Sequence, residues 1–182
     1  MELVMKGVIF NVLEEMVIEQ YNMQTWNEIL ASQTAEGIYT AGESYPDEEL
    51  FNLVATISDK TDIPVETLVG AFGERLFEGL AARNPSFIEA EPTLKGFLKS
   101  VHSVIHMEVR KLYENPNLPD FEYAEDADDT LLMRYRSPRK LCILAEGLIR
   151  GAAHHYDTLI TIDHPVCMHK GAEHCDLIVR FL

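Results

Sequence analysis

The sequence contains only three cysteines, one tryptophan and few basic side chains among its 182 residues. An odd number of cysteines does not suit a disulfide framework and favours free thiols or metal ligands in a reducing compartment. Fifteen lysines and arginines stand against 30 aspartates and glutamates, so the formal net charge is −15. Because such a surface repels phosphate groups, we expect neither nucleic acid nor an anionic membrane as a partner.

Long apolar runs are also missing, and we expect no leader segment. No stretch approaches the roughly 20 apolar residues of a membrane span, and the start MELVMKG lacks the basic and apolar regions of a signal peptide. We therefore predict a cytoplasmic protein. With 47% hydrophobic and 25% charged residues, the composition is typical of one globular domain or two closely packed subdomains.

Hydrophobic periodicity predicts an almost entirely helical chain up to about Asn115. Asp47 is the expected N-cap of the helix that runs to about Thr61, and Pro64 lies in the first turn of the next helix. The predicted helices cover about residues 7–20, 25–32, 47–61, 64–82 and 93–115.

After Pro116 the pattern predicts strands around a single helix at about 139–156. These segments are rich in alternating β-branched residues, which favours an antiparallel sheet of about four strands. The predicted strands are 121–124, 130–137, 158–165 and 175–182. The predicted fold class is therefore α+β, with a helical subdomain at about 1–115 and an α+β subdomain at about 116–182.

His102 and His106 lie four residues apart in the predicted helix 93–115 and therefore share one of its faces. Three interpretations are open. They form a bidentate metal pair, or one is an axial haem ligand while the other lies on the surface, or both are ordinary helix histidines. The spacing alone does not choose among these.

Tyr135, Ser137 and Arg139 are two residues apart, so in a strand they share one face. A ligand with two carboxylates, such as haem, would engage all three, because burying its propionates without donors is costly. The alternative is an exposed strand end with a salt bridge. Because Pro138 ends the strand, we expect Arg139 to reach from the start of the next helix, where anions are favoured.

All three cysteines fall in the last 41 residues, flanked by histidines. Three thiolates and one imidazole match the tetrahedral Cys₃His set of zinc, a metal that soft ligands favour. The candidate ligands are Cys142, Cys167, Cys175 and His164, with His169 and His174 as alternatives to His164. The other interpretation is three reduced cysteines that share no site.

With these residues located, the sequence resembles the haem-nitric oxide/oxygen binding domain family, H-NOX, over its whole length, as a single domain at 1–182. The segment MKGVIFNVLEEMV at 5–17 is similar to the family's opening helix. The segment IHMEVRKLY at 105–113 is similar to the one that carries the proximal histidine, which falls on His106. YRSPR at 135–139 matches the family's Tyr-x-Ser-x-Arg motif.

The resemblance implies a haem b (iron protoporphyrin IX) between the two subdomains. His106 is then its axial ligand, and the side chains of Tyr135, Ser137 and Arg139 hold its propionates. Nitric oxide binding on the distal side would weaken the trans iron–histidine bond, release His106 and move its helix, which gives the switch two states.

The resemblance also implies roles for four pocket residues. Ile9 presses on the distal face of the haem, and Pro119 helps to distort it from the proximal side. Leu144 stands where oxygen-binding relatives have a distal tyrosine, and Leu13 stands where they have a supporting tryptophan. Without a phenol, the ferrous–oxygen complex loses its main stabilisation, so we expect binding of nitric oxide and carbon monoxide but not oxygen.

The cysteine group resembles that of bacterial relatives that bind zinc and respond to thiol oxidation, with ligands at Cys142, His164, Cys167 and Cys175. Oxidation of zinc thiolates releases the metal and forms disulfides. Since the chain ends at Leu182 in a predicted strand, we expect signalling in trans. We also expect no enzymatic activity. The resemblance implies a histidine kinase or a cyclic-di-GMP-metabolising enzyme as the effector.

Two other functional classes compete with the gas sensor. The run AEGLIRGAAHHY at 145–156, followed by CMHKGAEHC at 167–175, also resembles the V4R (vinyl reductase) small-molecule binding domain, which would bind zinc and no haem. That class leaves residues 5–113 and the Tyr-x-Ser-x-Arg motif unexplained. A haem enzyme such as a peroxidase would need a distal His/Arg pair, which is not evident.

Overall fold

The computed structural model of the chain describes residues 3–33, 37–112, 116–124 and 127–182. The helical half contains β1 (Val4–Lys6), α1 (Gly7–Gln20), α2 (Met23–Ala31), β2 (Ser44–Pro46), α3 (Asp47–Thr61), α4 (Val65–Arg83), α5 (Pro85–Glu89), α6 (Leu94–Ser100), a π-helical turn (Val101–Ile105) and α7 (His106–Leu112). The remainder contains β3 (Asp120–Ala124), β4 (Thr130–Arg136), α8 (Cys142–His155), β5 (Ile160–Val166), a 3₁₀ turn (Met168–Lys170) and β6 (Cys175–Phe181). The predicted α+β class is confirmed.

The helices of the first half form where apolar side chains recur every three or four positions. In α1, Phe10, Leu13 and Val17 are buried on one such stripe. α2 begins two residues before the predicted Thr25, because the side chain of Asn22 caps it by accepting a hydrogen bond from the Thr25 N–H. The pair β1–β2 and the short helix α5 were not predicted from the sequence.

The predicted helix 93–115 is not continuous. A π-helical turn separates α6 from α7, and the His106 N–H donates to the Val101 carbonyl five residues back. A π turn holds one more residue than an α turn and is frequent at functional sites. The prediction of one regular helix was wrong here, and its last residues, 113–115, lie outside the described part of the chain.

The sheet of the second half is antiparallel with strand order β3-β4-β6-β5. Alternate residues of β4, among them Met133 and Tyr135, face the core. α8 starts at Cys142 and not at about Arg139 as predicted. Lys140 has φ 54°, a left-handed conformation that an α-helix does not accommodate, so Arg139 belongs to the turn before the helix.

The two halves meet where α4 crosses α8 at glycines. A Cβ on Gly147 would lie 2.3 Å from the Gly70 carbonyl oxygen, and one on Gly73 would lie 2.6 Å from the Leu144 carbonyl oxygen. Any larger side chain would therefore push the helices apart. Around this crossing, Leu144 of α8 joins the core built from α1–α4, while Phe77 of α4 joins the core beneath the sheet.

Within the described residues, no helix combines the length and the apolar character that crossing a membrane requires.

Candidate functional site

The donor motif, defined as Tyr135, Ser137 and Arg139, lies at the end of β4 and in the turn before α8. The Tyr135 side chain is buried, and its hydroxyl oxygen accepts a hydrogen bond from the Leu141 backbone N–H at 2.9 Å. Burial raises the pKa of Tyr135, so the phenol keeps its proton. A phenol that accepts one hydrogen bond still has its own O–H to donate to a carboxylate. The Ser137 hydroxyl is also buried and accepts from the Arg139 backbone N–H at 3.3 Å.

Arg139 forms a buried ion pair with Asp47, the first residue of α3. The arginine Nε lies 2.5 Å from Oδ2 of Asp47 and Nη2 lies 2.9 Å from Oδ1, and the side chains are 8% and 5% exposed. The guanidinium also donates to the carbonyls of Val4 and Asn117. These contacts use four of its five N–H groups, which leaves one donor for a further acceptor.

Asp47 was expected to cap α3, but Pro46 holds the N-cap position and Asp47 turns its carboxylate to Arg139. Sequence reasoning missed this pairing because the partners are 92 positions apart. The helix dipole already explains an acidic residue at the start of a helix, so nothing in the sequence identifies Asp47 as the partner of a distant arginine.

The His106 side chain is mostly buried at the junction of the π turn and α7. Burial lowers the pKa of His106 to about 4, with help from neighbouring His102 and Arg110, while the Pro119 carbonyl opposes the shift. The imidazole is therefore neutral near pH 7, which is the form that binds metals. Its Nδ1 atom is buried and makes no well-aligned hydrogen bond among the described residues, although the Pro119 carbonyl lies close enough to favour the protonated ring.

His102 differs from His106 in this respect. Its Nδ1 accepts a hydrogen bond from the Phe121 backbone N–H at 3.4 Å. The structure therefore separates the two histidines that helical spacing left equivalent, and it leaves His106 as the one with a buried nitrogen that makes no well-aligned hydrogen bond.

Phe121 of β3 links His106 to the donor motif. Its ring centroid lies 6.0 Å from that of His106 and 5.6 Å from that of Tyr135. Sequence reasoning missed Phe121, since a buried aromatic residue in a strand has the same pattern as any core residue. The contact places the histidine and the buried phenol around one aromatic ring, next to Pro119.

The pocket residues Ile9, Leu13 and Leu144 belong to a single apolar cluster. Leu13 is fully buried and Leu144 is 9% exposed. Leu144 also lines a cavity of about 220 Å³ together with side chains of α3 and α4. The lining of this cavity is apolar and consists of Leu50, Phe51, Val54, Val65, Val69, Phe72, Leu141 and Leu144.

The structure brings three cysteines and one histidine together near the N-terminus of α8. One ligand atom each of Cys142, His164, Cys167 and Cys175 lies within 4.8 Å of all the others. The Sγ atoms of Cys142 and Cys167 are 3.9 Å apart, close to the roughly 3.8 Å that tetrahedral zinc with Zn–S bonds of about 2.3 Å imposes. All three cysteines are free thiols and buried. The donor set and its spacing fit a zinc ion.

His169 and His174 do not join this group among the described residues. His169 Nε2 lies 2.7 Å from the Lys140 carbonyl, and His174 Nε2 lies 3.3 Å from a carboxylate oxygen of Asp176. The geometry thus favours His164 among the three histidines that the sequence left open.

Burial raises the pKa of the Cys142 thiol, and the neighbouring Cys175 and Cys167 add to the effect. Burial raises the pKa of Cys175 as well. The thiols of Cys142 and Cys175 are therefore protonated when no cation is near, and a divalent cation would reverse this by stabilising the thiolates.

Comparison with known proteins agrees with the fold. A sequence profile of the HNOB family, described as haem-NO-binding, matches residues 6–164. Soluble guanylate cyclase gcy-35 of Caenorhabditis elegans is 28% identical over 183 residues, which cover 96% of this chain and 26% of that protein. The chain thus spans about a quarter of the length of this curated relative.

Two solved structures are similar over nearly the full length. An H-NOX protein from Shewanella oneidensis in the Fe(II)NO ligation state is 41% identical with a TM-score of 0.93, over 98% of this chain and 99% of that one. The IWP-051-bound H-NOX from Shewanella woodyi in the Fe(II)CO ligation state is 30% identical with a TM-score of 0.86, over 97% and 94%. On this evidence, the chain belongs to the haem-NO-binding, or H-NOX, family of haem-based gas-sensor domains.

Proposed function

We propose that this chain binds haem b with His106 as the axial ligand and senses nitric oxide. The observation that carries the proposal is the His106 imidazole, which is neutral near pH 7 and has a buried nitrogen that makes no well-aligned hydrogen bond among the described residues. Haem would supply the iron to which the gas binds. His106 would hold that iron, and Pro119 and Phe121 would fix the orientation of its ring.

The donor motif supplies what two buried propionates require. Tyr135 retains its O–H as a donor, the Ser137 hydroxyl is buried next to it, and Arg139 has one N–H left after its contacts with Asp47 and two carbonyls. Charge-assisted hydrogen bonds of this kind offset the cost of burying a carboxylate. In this proposal Arg139 both ties the helical half to the turn before α8 and donates to a propionate.

The apolar surroundings of Leu144 support selectivity for nitric oxide and carbon monoxide over oxygen. The cluster around Leu13 and Leu144 is apolar, and no hydroxyl or amide side chain is among the residues that line the adjacent cavity. Bound oxygen depends on a hydrogen-bond donor in the distal pocket far more than the other two gases do. Two similar H-NOX proteins have been solved in the Fe(II)NO and Fe(II)CO states.

The cluster of three cysteines and one histidine, called the thiol group below, gives the chain a second proposed function, as a zinc site that senses oxidants. Cys142, His164, Cys167 and Cys175 are the proposed ligands. Two thiolates that lose one electron each to an oxidant such as hydrogen peroxide would join in a disulfide, and the metal would be released. The separation of 3.9 Å between the sulfurs of Cys142 and Cys167 supports this pair as the one that joins.

The output of the sensor is proposed to reach a separate effector in the cytoplasm, either a histidine kinase or a cyclic-di-GMP-metabolising enzyme. H-NOX domains bind gas ligands and signal to effectors, and a soluble guanylate cyclase is among the relatives. The net charge of −15 would suit a partner with a basic surface and disfavours nucleic acid.

The test of the haem assignment compares His106→Gly with His102→Gly, its matched control four residues away. We expect His106→Gly to be purified without a Soret band and to regain one when imidazole is supplied during haem loading. His102→Gly should keep its haem, because the nitrogen of that residue already serves the Phe121 N–H. A Soret band of full intensity in His106→Gly without imidazole would reject His106 as the ligand, and no haem in the wild type would favour the V4R class.

A further inference from the structure

A carboxylate outside the proposed ligand set contacts His164. The Glu146 Oε1 atom lies 2.7 Å from Nδ1 of His164, and both side chains are mostly buried, with 15% and 17% exposed. A carboxylate can only accept, so Nδ1 of the ring carries the proton and donates it. The other nitrogen, Nε2, is buried and has no hydrogen-bond partner among the described residues.

These contacts identify Nε2 as the atom of His164 that is available to a metal. His164 belongs to the group whose ligand atoms lie within 4.8 Å of one another, and its Nδ1 is already engaged. A metal-binding histidine almost always donates its second ring N–H to a carboxylate or a carbonyl, which fixes the tautomer and strengthens the ligand. The pair of Glu146 and His164 has this arrangement before any metal is added.

The backbone explains why the two side chains meet. Glu146 lies one helical turn after Cys142 on α8, so the helix presents a thiol and a carboxylate on the same face. The pairing of β5 with β6 is irregular between Asp163 and Val166, a stretch that includes His164. Such irregularities re-aim individual side chains of a strand.

Glu146 is held in place by a residue one further turn along α8. Its Oε2 atom accepts a hydrogen bond from Nη2 of Arg150 at 2.8 Å. One carboxylate oxygen thus serves the histidine and the other serves the arginine. The positive charge of Arg150 also offsets part of the negative charge that three thiolates and a carboxylate would place around one divalent ion.

We propose that Glu146 is a positioning residue of the zinc site, which holds His164 so that Nε2 faces the three thiols and thereby sets how tightly the metal is retained. The inference rests on the zinc function proposed above and adds to it a residue that determines affinity. Nothing in the sequence alone marks Glu146, since an acidic residue four positions after a cysteine is common on a helix surface.

The experiment measures zinc affinity by competition with a chromogenic chelator, using the full-length haem-loaded protein. Glu146→Gln keeps the volume of the side chain and an acceptor oxygen but removes the charge. Glu146→Leu removes the hydrogen bond altogether. We expect zinc affinity to fall by about 10- to 100-fold in Glu146→Leu, the usual effect of losing such a partner, with a smaller loss in Glu146→Gln. Glu146→Asp, which keeps the charge, should recover part of the loss.

A second readout does not depend on affinity. Cobalt(II) substituted into the site reports ligand geometry through its visible absorption, and that spectrum should change in Glu146→Leu because the imidazole is no longer held. The matched control is Glu74→Gln, which alters another glutamate–histidine pair, with His154 Nδ1 at 3.7 Å on the exposed side of α8. The control should leave both readouts unchanged.

The outcomes separate this inference from the zinc function on which it rests. Wild-type affinity and an unchanged cobalt spectrum in both Glu146→Leu and Glu146→Gln would overturn the role of Glu146, while loss of zinc from Cys167→Ala would still uphold the site. A wild-type protein that binds neither zinc nor cobalt would overturn the site and this inference together. If Glu146→Leu does not fold, the same comparison is made with Glu146→Gln and Glu146→Asp, and equal affinities for those two and the wild type would overturn the role.

Discussion

Tyr135 of β4 lies directly opposite Cys175 of β6 in the antiparallel sheet. Residues that oppose each other across two strands project from the same face, and both side chains here are buried. A residue of the donor motif and a proposed zinc ligand are therefore cross-strand neighbours. His169 adds a second connection, since its ring contacts the carbonyl of Lys140, between Arg139 and Cys142.

This relationship predicts that the state of the thiols affects the gas site. We expect extraction of zinc from the ferrous protein, or oxidation of its thiols, to change the rate of nitric oxide dissociation severalfold, because a change at Cys175 acts directly on β4. Stopped-flow absorption with a nitric oxide trap measures that rate. In Cys167→Ser, which should hold no zinc, the same treatment with chelator should have no effect. Identical rates before and after treatment of the wild type would refute the coupling.

The buried pair of Arg139 and Asp47 predicts a large loss of stability when one partner is neutralised. Asp47→Asn leaves a buried guanidinium without its counter-charge, which typically costs about 3–5 kcal/mol. Urea unfolding followed by circular dichroism measures the free energy of unfolding. The matched control is Lys60→Gln, which breaks a surface pair with Glu28 at 2.6 Å whose side chains are 37% and 48% exposed. No measurable change is expected there. Equal stability of Asp47→Asn and the wild type would contradict the role of the pair.

The lowered pKa of His106 predicts that the stability of the haem-free protein depends on pH. The pKa of His106 is lowered from its ordinary value of 6.5 to about 4, so between these values the unfolded chain binds more protons than the folded one. The contribution of His106 is present above about pH 6.5 and is lost as the pH falls towards 4. Its full size is about 3 kcal/mol. Urea unfolding at pH 7 and pH 5 should show a smaller difference in His106→Leu than in the wild type.

The exposed His154, with 72% of its side chain accessible, provides the control for this measurement. His154→Gln should keep the pH difference of the wild type. If His106→Leu and His154→Gln behave alike, His106 does not account for the acid sensitivity.

The crossing of α4 and α8 predicts opposite results for two alanine substitutions. Gly147→Ala would place a Cβ 2.3 Å from the Gly70 carbonyl oxygen. We expect the free energy of unfolding to fall by about 1–3 kcal/mol, because the backbone of one helix must move to make room. Gly70→Ala meets only a methyl of Ile143 at 3.9 Å, so it should be neutral or stabilising, since alanine favours a helix by about 1 kcal/mol over glycine. Thermal unfolding of both variants tests this, and equal melting temperatures would be the contrary result.

The sequence predicted the parts of the fold that depend on periodicity. The stripe of α1 and the alternation in the last strands gave the correct elements because each is decided within a few residues. The π turn before His106 was not predictable in this way, since one shifted backbone hydrogen bond leaves the spacing of apolar residues almost unchanged. The start of α8 was placed too early because Lys140 adopts a left-handed conformation. Glycine or asparagine would have indicated such a conformation, whereas a lysine does not.

The candidate sites show the same division. The residue types of the thiol group were evident from sequence, but choosing His164 over His169 and His174 requires the tertiary structure, because all three lie close to cysteines in the chain. Likewise, the partner of Arg139 lies 92 positions away in the helical half. Contacts between distant segments are set by how whole elements pack, which local patterns do not encode.

The meeting of glycines at α4 and α8 has a mechanical consequence. Backbone touches backbone there, so no flexible side chain can absorb a change in the distance between the two helices. A displacement of one half relative to the other is then most readily a rotation about Gly73 and Gly147, with little sliding or separation. The crossing would therefore act as a pivot, at which the angle between α4 and α8 can change while their separation stays fixed.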